Sequence, residues 1–293
     1  MKERMEFFIG DDRLVGDLYT PASDAIGVAV ITGPLTSVKE QAPGAYAAAL
    51  AKQGIAALAF DHRHFGESGG SPRQLEDPGQ KIADIRAAVD AVADRYPVLP
   101  VYAVGVCAGA GYMAAAVAQE PRFAAFGGVA GFYHDAAQSR DWMGEGYDAA
   151  IAAGRQARLD FEAGSDAQMI PAVAMDGDRA MPMDEAFDYY GTDRGGEARF
   201  PNYTNAFAVM SREVTTPFDA QGAADKITVP TLMIHSENAL SPMLARRFFD
   251  KLGGPKEQDW LQSKGQIDFY DDPSLIAPAV TMLSDFFRRS LPA

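Results

Sequence analysis

The segment from Val101 to Gly109 does most to limit what this chain can fold into. An apolar run, Val101-Tyr102-Ala103-Val104, leads into Gly105-Val106-Cys107-Ala108-Gly109, and a small-residue stretch from Ala110 to Ala118 follows. That order predicts a strand, a sharp turn and a helix, with a nucleophilic side chain at the turn. The pentapeptide fits the nucleophile elbow G-x-S-x-G with Cys in place of Ser. Glycines flank the nucleophile because the tight turn leaves no room for side chains there. A thiol at this point also caps a helix N-terminus, where the dipole favours the thiolate, so a pKa below that of a free thiol is expected. The competing explanation is a structural cysteine buried among small residues.

The rest of the chain repeats the alternation. Ile26 to Ile31 reads as a buried strand ending at Gly33-Pro34, and Gly44 to Gln53 as a helix. Gly54 to Phe60 is the next strand. Lys81 to Tyr96 has Ile82, Ile85, Val89 and Val92 at the spacing of one buried helical face. Strands follow at Phe126 to Gly131, Thr231 to Ile234 and Asp259 to Leu261, and a last helix runs from about Ser274 to Ser290. Continuously apolar strands between helices predict an α/β architecture with a mostly parallel central sheet flanked by helices. Functional groups then gather at the carboxyl ends of the strands. The pattern breaks from 135 to 225, a stretch rich in Met and aromatic residues. It reads as a cap inserted between two parts of one core, residues 1–134 and 226–293. Tyr189 and Tyr190 are its first candidates for polar contact with a substrate, although cap packing accounts for most of its aromatics.

Four landmarks in order resemble the α/β-hydrolase fold, in a bacterial branch related to dienelactone hydrolases and S15-type peptidases. Gly33-Pro34-Leu35-Thr36-Ser37-Val38-Lys39-Glu40-Gln41 resembles the loop after the early strand. Asp61-His62-Arg63-His64-Phe65-Gly66-Glu67-Ser68 resembles the D-x-R-x-F-G-E-S turn. The Cys107 elbow is the third. Gln266-Ile267-Asp268-Phe269-Tyr270-Asp271 resembles the H-x-D-x-Y-D segment. The resemblance implies a helical cap and an oxyanion hole made by the backbone N–H groups of Ala108 and Leu35; Pro34 has no N–H to offer.

Two departures stand against that pattern. Gln266 occupies the position of the family's catalytic His, and a glutamine cannot shuttle a proton. In His235-Ser236-Glu237-Asn238-Ala239, Ala239 stands at the usual acid position. Among the four histidines, His134 follows a strand end and is the candidate substitute base, with Asp135 beside it; Glu237 is the candidate displaced acid. For each, a structural or solvated role competes with catalysis.

These residues lead to three readings. The first is a Cys-dependent hydrolase acting by acyl transfer on an ester, thioester or lactone with an apolar or aromatic portion. The second is a non-hydrolytic enzyme of the same fold (a cyclase, acyltransferase, lyase or carbon–carbon cleaving enzyme), since thiolate attack needs less help than activation of water. The third is an inactive, ligand-binding member. No metal motif and no G-x-G-x-x-G after the first strand occur, so no cofactor is expected. A small-molecule substrate is the expected partner, with a homodimer left open. The net charge of −14 argues against nucleic acid or an anionic membrane. A single Cys suits a reducing compartment, and the N-terminal residues do not form a signal-peptide core, so a cytoplasmic location is expected.

Overall fold

In the computed structural model, which describes residues 1–290, eight strands form one sheet. In chain order they begin with β1 (Lys2–Ile9), β2 (Asp12–Tyr19), β3 (Val28–Thr32), β4 (Ala56–Asp61), β5 (Val101–Val106) and β6 (Phe123–Val129). Two short strands, β7 (Met169–Ile170) and β8 (Phe207–Ala208), pair only with each other. β9 (Thr231–His235) and β10 (Lys256–Trp260) complete the main sheet. Its spatial order is β1-β2-β4-β3-β5-β6-β9-β10. From β4 to β10 every pairing is parallel; β1 and β2 join antiparallel at one edge.

The helices are α1 (Ala42–Lys52), α2 (Pro78–Arg95), α3 (Ala108–Val117), α4 (Ala136–Met143), α5 (Gly146–Glu162), α6 (Asp184–Tyr190), α7 (Arg212–Thr215), α8 (Pro242–Lys251), α9 (Asp268–Asp271) and α10 (Pro273–Arg289). α1 packs with α9 and α10, and α2 packs on α3, so the sheet is covered by two sets of helices. Every residue of β3, β4, β5 and β9 is buried. That is why these strands read as unbroken apolar runs in the sequence. Among the described residues, no helix is long and apolar enough to cross a membrane.

Several elements differ from the sequence expectation, β6 among them, which starts three residues before the Phe126–Gly131 reading. The β1–β2 hairpin was not legible, because β1 is an exposed edge strand rich in charge. β10 begins three residues earlier than the Asp259–Leu261 reading and is exposed along Lys256–Asp259, so it carries no apolar pattern. α8 went unread. Residues 135–225 hold α4 to α7, the β7–β8 pair and irregular turns.

The two loop motifs form one buried electrostatic joint. Lys39, 1 % exposed, places its Nζ 2.9 Å from Asp61, 2.6 Å from Glu67 and 2.7 Å from Glu40. Asp61 also accepts the N–H groups of Lys39 and Glu67. A Cβ on Gly66 would lie 2.3 Å from the Asp61 carboxylate, which explains the glycine. Burial opposes the charge on Lys39, but the Asp61, Glu40 and Glu67 carboxylates outweigh it and hold the ammonium protonated. The joint fixes the loop that carries Leu35 and Thr36.

Candidate active site

β5 delivers Cys107 to the N-terminus of α3 with φ 56° and ψ −127°, a strained conformation for a residue with a Cβ. The turn is held by main-chain bonds: Cys107 N–H donates to Val129 (3.1 Å), and its carbonyl accepts from Ala110 (3.0 Å) and Phe132 (2.8 Å). Close packing demands the flanking glycines. A Cβ on Gly105 would meet Ala110 Cα at 2.4 Å, and one on Gly109 would meet the Gly33 carbonyl oxygen at 2.4 Å.

The thiol lines a partly open cavity of about 280 Å³ between the strand ends and residues of the 135–225 segment. Its walls are mostly apolar, with Phe132, Met181, Met183 and Ile267 among them and Trp142 of α4 at the side. A wider, more open cavity of about 610 Å³ adjoins it, sharing Leu35, Phe132, His134, Ala180 and Pro182. The N–H groups of Ala108 and Leu35 and the hydroxyl of Tyr270 all face the sulfur, none closing on it in a tight hydrogen bond. Burial pushes the Cys107 thiol up to about 11. The Tyr270 hydroxyl and the two N–H groups oppose that rise, while the nearby Glu185 carboxylate adds to it. The thiolate expected from the helix dipole is therefore overturned: desolvation wins, and the resting side chain is a neutral thiol.

Gln266, 2 % exposed, is tied at both ends of its amide. Its Oε1 accepts the Leu240 N–H at 3.0 Å, and its Nε2 donates to the Ala130 carbonyl at 2.8 Å and to the Tyr270 hydroxyl at 3.4 Å. The side chain thus lines the cavity but reaches the thiol only through Tyr270. From the cap, Glu185 of α6 accepts the N–H groups of Gln266 (3.0 Å) and Ile267 (3.4 Å). A Cβ on Gly265 would strike that carboxylate at 2.1 Å.

The remaining candidates are dispersed. His134 lines the cavity, but its ring is stacked on Tyr112 and edged by Phe132 and Phe218. Burial pushes its imidazole down to about 3, so it stays neutral, and it forms no hydrogen bond to Cys107. Asp135 caps α4 through Gln138 N–H and pairs with Arg247, so it does not orient His134. Glu237 is exposed, pairs with Arg246 of α8, and is not brought to Cys107. Tyr190 lines the cavity; Tyr189 stands behind it, edge-on to Tyr190 and Tyr270. His62 contacts Asp84, while His64 and His235 hold backbone carbonyls. Among the described residues, no group of acidic, His or Cys side chains could hold a metal ion.

Sequence reasoning missed Tyr270 and Glu185. Tyr270 had a signal: it stands in the same short motif as Gln266, four positions on. Glu185 had none, because it lies 81 residues before the amide it accepts from.

Comparison with known proteins agrees with this architecture. The serine aminopeptidase S33 family model matches residues 41–150, which include the elbow. The chain is similar to the uncharacterized protein YcjY of Escherichia coli (strain K12), 31% identical over 273 residues, covering 89% of this chain and 88% of that one. The chain belongs to the α/β-hydrolase family. Another relative of this family member is the uncharacterized protein PA2218 of Pseudomonas aeruginosa, 30% identical over 283 residues and covering 88% of this chain and 72% of that one. The crystal structure of PA2218 superposes with a TM-score of 0.83 over 99% of this chain and 94% of that one. A structure of DcsB in complex with its substrate analogue has a TM-score of 0.84 at 21% identity, covering 99% of this chain and 100% of that one, a likeness of fold.

Proposed function

We propose that this α/β-hydrolase family enzyme transfers acyl groups through Cys107, acting on an ester, thioester or lactone whose apolar portion fills the cavity. The observation that carries this reading is the thiol on a strained elbow, facing the cavity, with two backbone N–H groups turned toward it. In the first step the sulfur attacks the carbonyl carbon. The carbonyl oxygen takes up negative charge in the hole formed by Ala108 and Leu35. The thiol proton passes to the leaving oxygen or sulfur as the carbonyl reforms, leaving a thioester on Cys107.

Tyr270 is suited to relay that proton. Gln266 Nε2–H donates into its hydroxyl oxygen, so the phenol can take the thiol proton on its other lone pair and release its own to the leaving group. Burial holds the Tyr270 phenol well above its ordinary pKa, so it enters the step protonated.

A second reading concerns the acceptor. Gln266 cannot take a proton from water, and burial pushes the His134 imidazole down to about 3, too weakly basic to do so. This favours transfer to an amine or thiol of a second substrate, which attacks without a general base, or intramolecular cyclisation, over hydrolysis. The test is steady-state turnover of an aryl ester with an added amine or thiol acceptor. Transfer product should exceed free acid, and Cys107→Ala should abolish both. Cleavage undiminished in Cys107→Ala would refute the reading.

A further inference from the structure

Beside the thiol lies a group of buried hydroxyls that the acyl-transfer chemistry does not use. Thr36, Tyr112, Tyr190 and Tyr203 are each no more than 2 % exposed, and none of their hydroxyls has a hydrogen-bond partner. They come from four different parts of the molecule: the loop after β3, α3, α6 and the cap segment that follows it. Two other equally buried tyrosines find partners, whereas the Tyr133 hydroxyl stands alone. The Tyr46 hydroxyl donates to the Phe269 carbonyl at 3.0 Å, and that of Tyr102 to the Phe287 carbonyl at 3.3 Å. A buried hydroxyl left unpaired is costly, so several in one place point to a missing guest.

Glu76 stands at the centre of this group. It is fully buried, its Oε2 accepts the Thr36 N–H at 3.2 Å, and its Oε1 lies 2.6 Å from Lys81 Nζ. The Lys81 ammonium sits 4.6 Å from the Phe65 ring centre and 5.3 Å from that of Tyr112. The Tyr112 hydroxyl faces Glu76, the Tyr203 hydroxyl faces Thr36, and both Glu76 and Cys107 act on Tyr190. The Tyr190 and Tyr203 rings are 5.3 Å apart.

Two successive amides of one loop link this group to the thiol. The Leu35 N–H faces the Cys107 sulfur, and the next N–H, that of Thr36, goes to Glu76. Consecutive Cα atoms are about 3.8 Å apart, so the backbone that serves the thiol is directly joined to the backbone that serves Glu76.

We propose that Thr36, Tyr112, Tyr190 and Tyr203, arranged around Glu76, form a polar subsite for a neutral oxygen of the acyl group, a hydroxyl or ketone near the thiol-bound carbonyl. The proposal rests on Cys107 as the acyl carrier. The guest is neutral because Glu76 and Lys81 already neutralise each other. A carboxylate would face Glu76 with no free cation, and an ammonium would leave water for a carboxylate already engaged. A hydroxyl or ketone asks only for what four free hydroxyls supply, donors and acceptors. The apolar remainder of the chain then occupies the side of the cavity lined by Met181, Met183 and Ile267.

The experiment uses the intact protein and three N-acetylcysteamine thioesters of equal length: octanoyl, 3-hydroxyoctanoyl and 3-oxooctanoyl. The rate of Cys107 acylation is read by mass spectrometry. Sites built to hydrogen-bond an oxygen discriminate strongly against analogues lacking it, so at least one oxygenated thioester should react about tenfold faster than octanoyl or more. Tyr203→Phe and Thr36→Val should each shrink that ratio to about threefold or less. Equal rates for all three thioesters in the wild-type protein would mean that the four hydroxyls hold no acyl oxygen, and would overturn the proposal. A ratio unchanged in both variants would overturn it as well. If no thioester acylates Cys107, the acyl-carrier reading falls and takes the subsite with it, a result distinct from equal rates.

Discussion

Gln266 donates to the hydroxyl of Tyr270 across 3.4 Å, so its amide meets the thiol through a phenol. The neighbouring loop holds the other end of the amide: the N–H of Leu240, next to Ala239, donates to Gln266 Oε1 at 3.0 Å. The amide is gripped by the main chain. It fixes the orientation of Tyr270 but offers no base.

Restoring the base should therefore restore hydrolysis. In Gln266→His, the Ala130 carbonyl that now accepts from Nε2 can hold one imidazole N–H and turn the other nitrogen toward Cys107. Ester hydrolysis should rise by about 10²-fold, the lower end for a positioned acid–base group. The double change with Ala239→Asp should exceed the single one. Hydrolysis rates of the two variants against wild type are the measurement; no gain in either would show that loss of the base does not limit the reaction.

The thiol should titrate late. Its pKa is raised by burial to about 11, above the free-thiol value of about 8.5. Alkylation by iodoacetamide should then climb about tenfold for each pH unit from 7 to 10 without a plateau. The same shift has a sign for stability. The folded state holds the proton more tightly, so the contribution of Cys107 is complete below the unfolded pKa and is lost as pH rises toward 11. A Cys107→Ala variant should lack that loss. An alkylation plateau by pH 8 would contradict the account.

Glu76 should matter for stability as well as for the site. Replacing it by Gln leaves the Lys81 ammonium buried without its counter-charge, which costs about 3–5 kcal/mol for pairs of this kind. Urea unfolding of Glu76→Gln should show a loss of that size, and Glu76→Gln with Lys81→Met should recover part of it. A loss below about 1 kcal/mol would mean that the pair is better solvated than its burial implies.

The sequence revealed the parts of this molecule that have a local cause. β3, β4, β5 and β9 were legible because strands buried on both faces must be apolar throughout. The Cys107 turn was legible because contacts at Gly105 and Gly109 forbid a Cβ. What escaped depends on contacts between distant segments. Glu185 and Gln266 are 81 residues apart, and Glu76 meets Ser211 across 135. The thiol pKa was misread for the same reason. The helix end is written in the sequence, but the enclosure by Met181, Met183 and Tyr190 of the cap is not.

The most direct test of the central claim is intact-mass spectrometry of the protein after brief exposure to an excess of an aryl ester bearing a medium-length acyl chain. A single acyl adduct should appear, map to Cys107, persist in buffer and discharge when a thiol or amine acceptor is added. Turnover of the ester with no adduct on Cys107, undiminished in Cys107→Ala, would contradict the account.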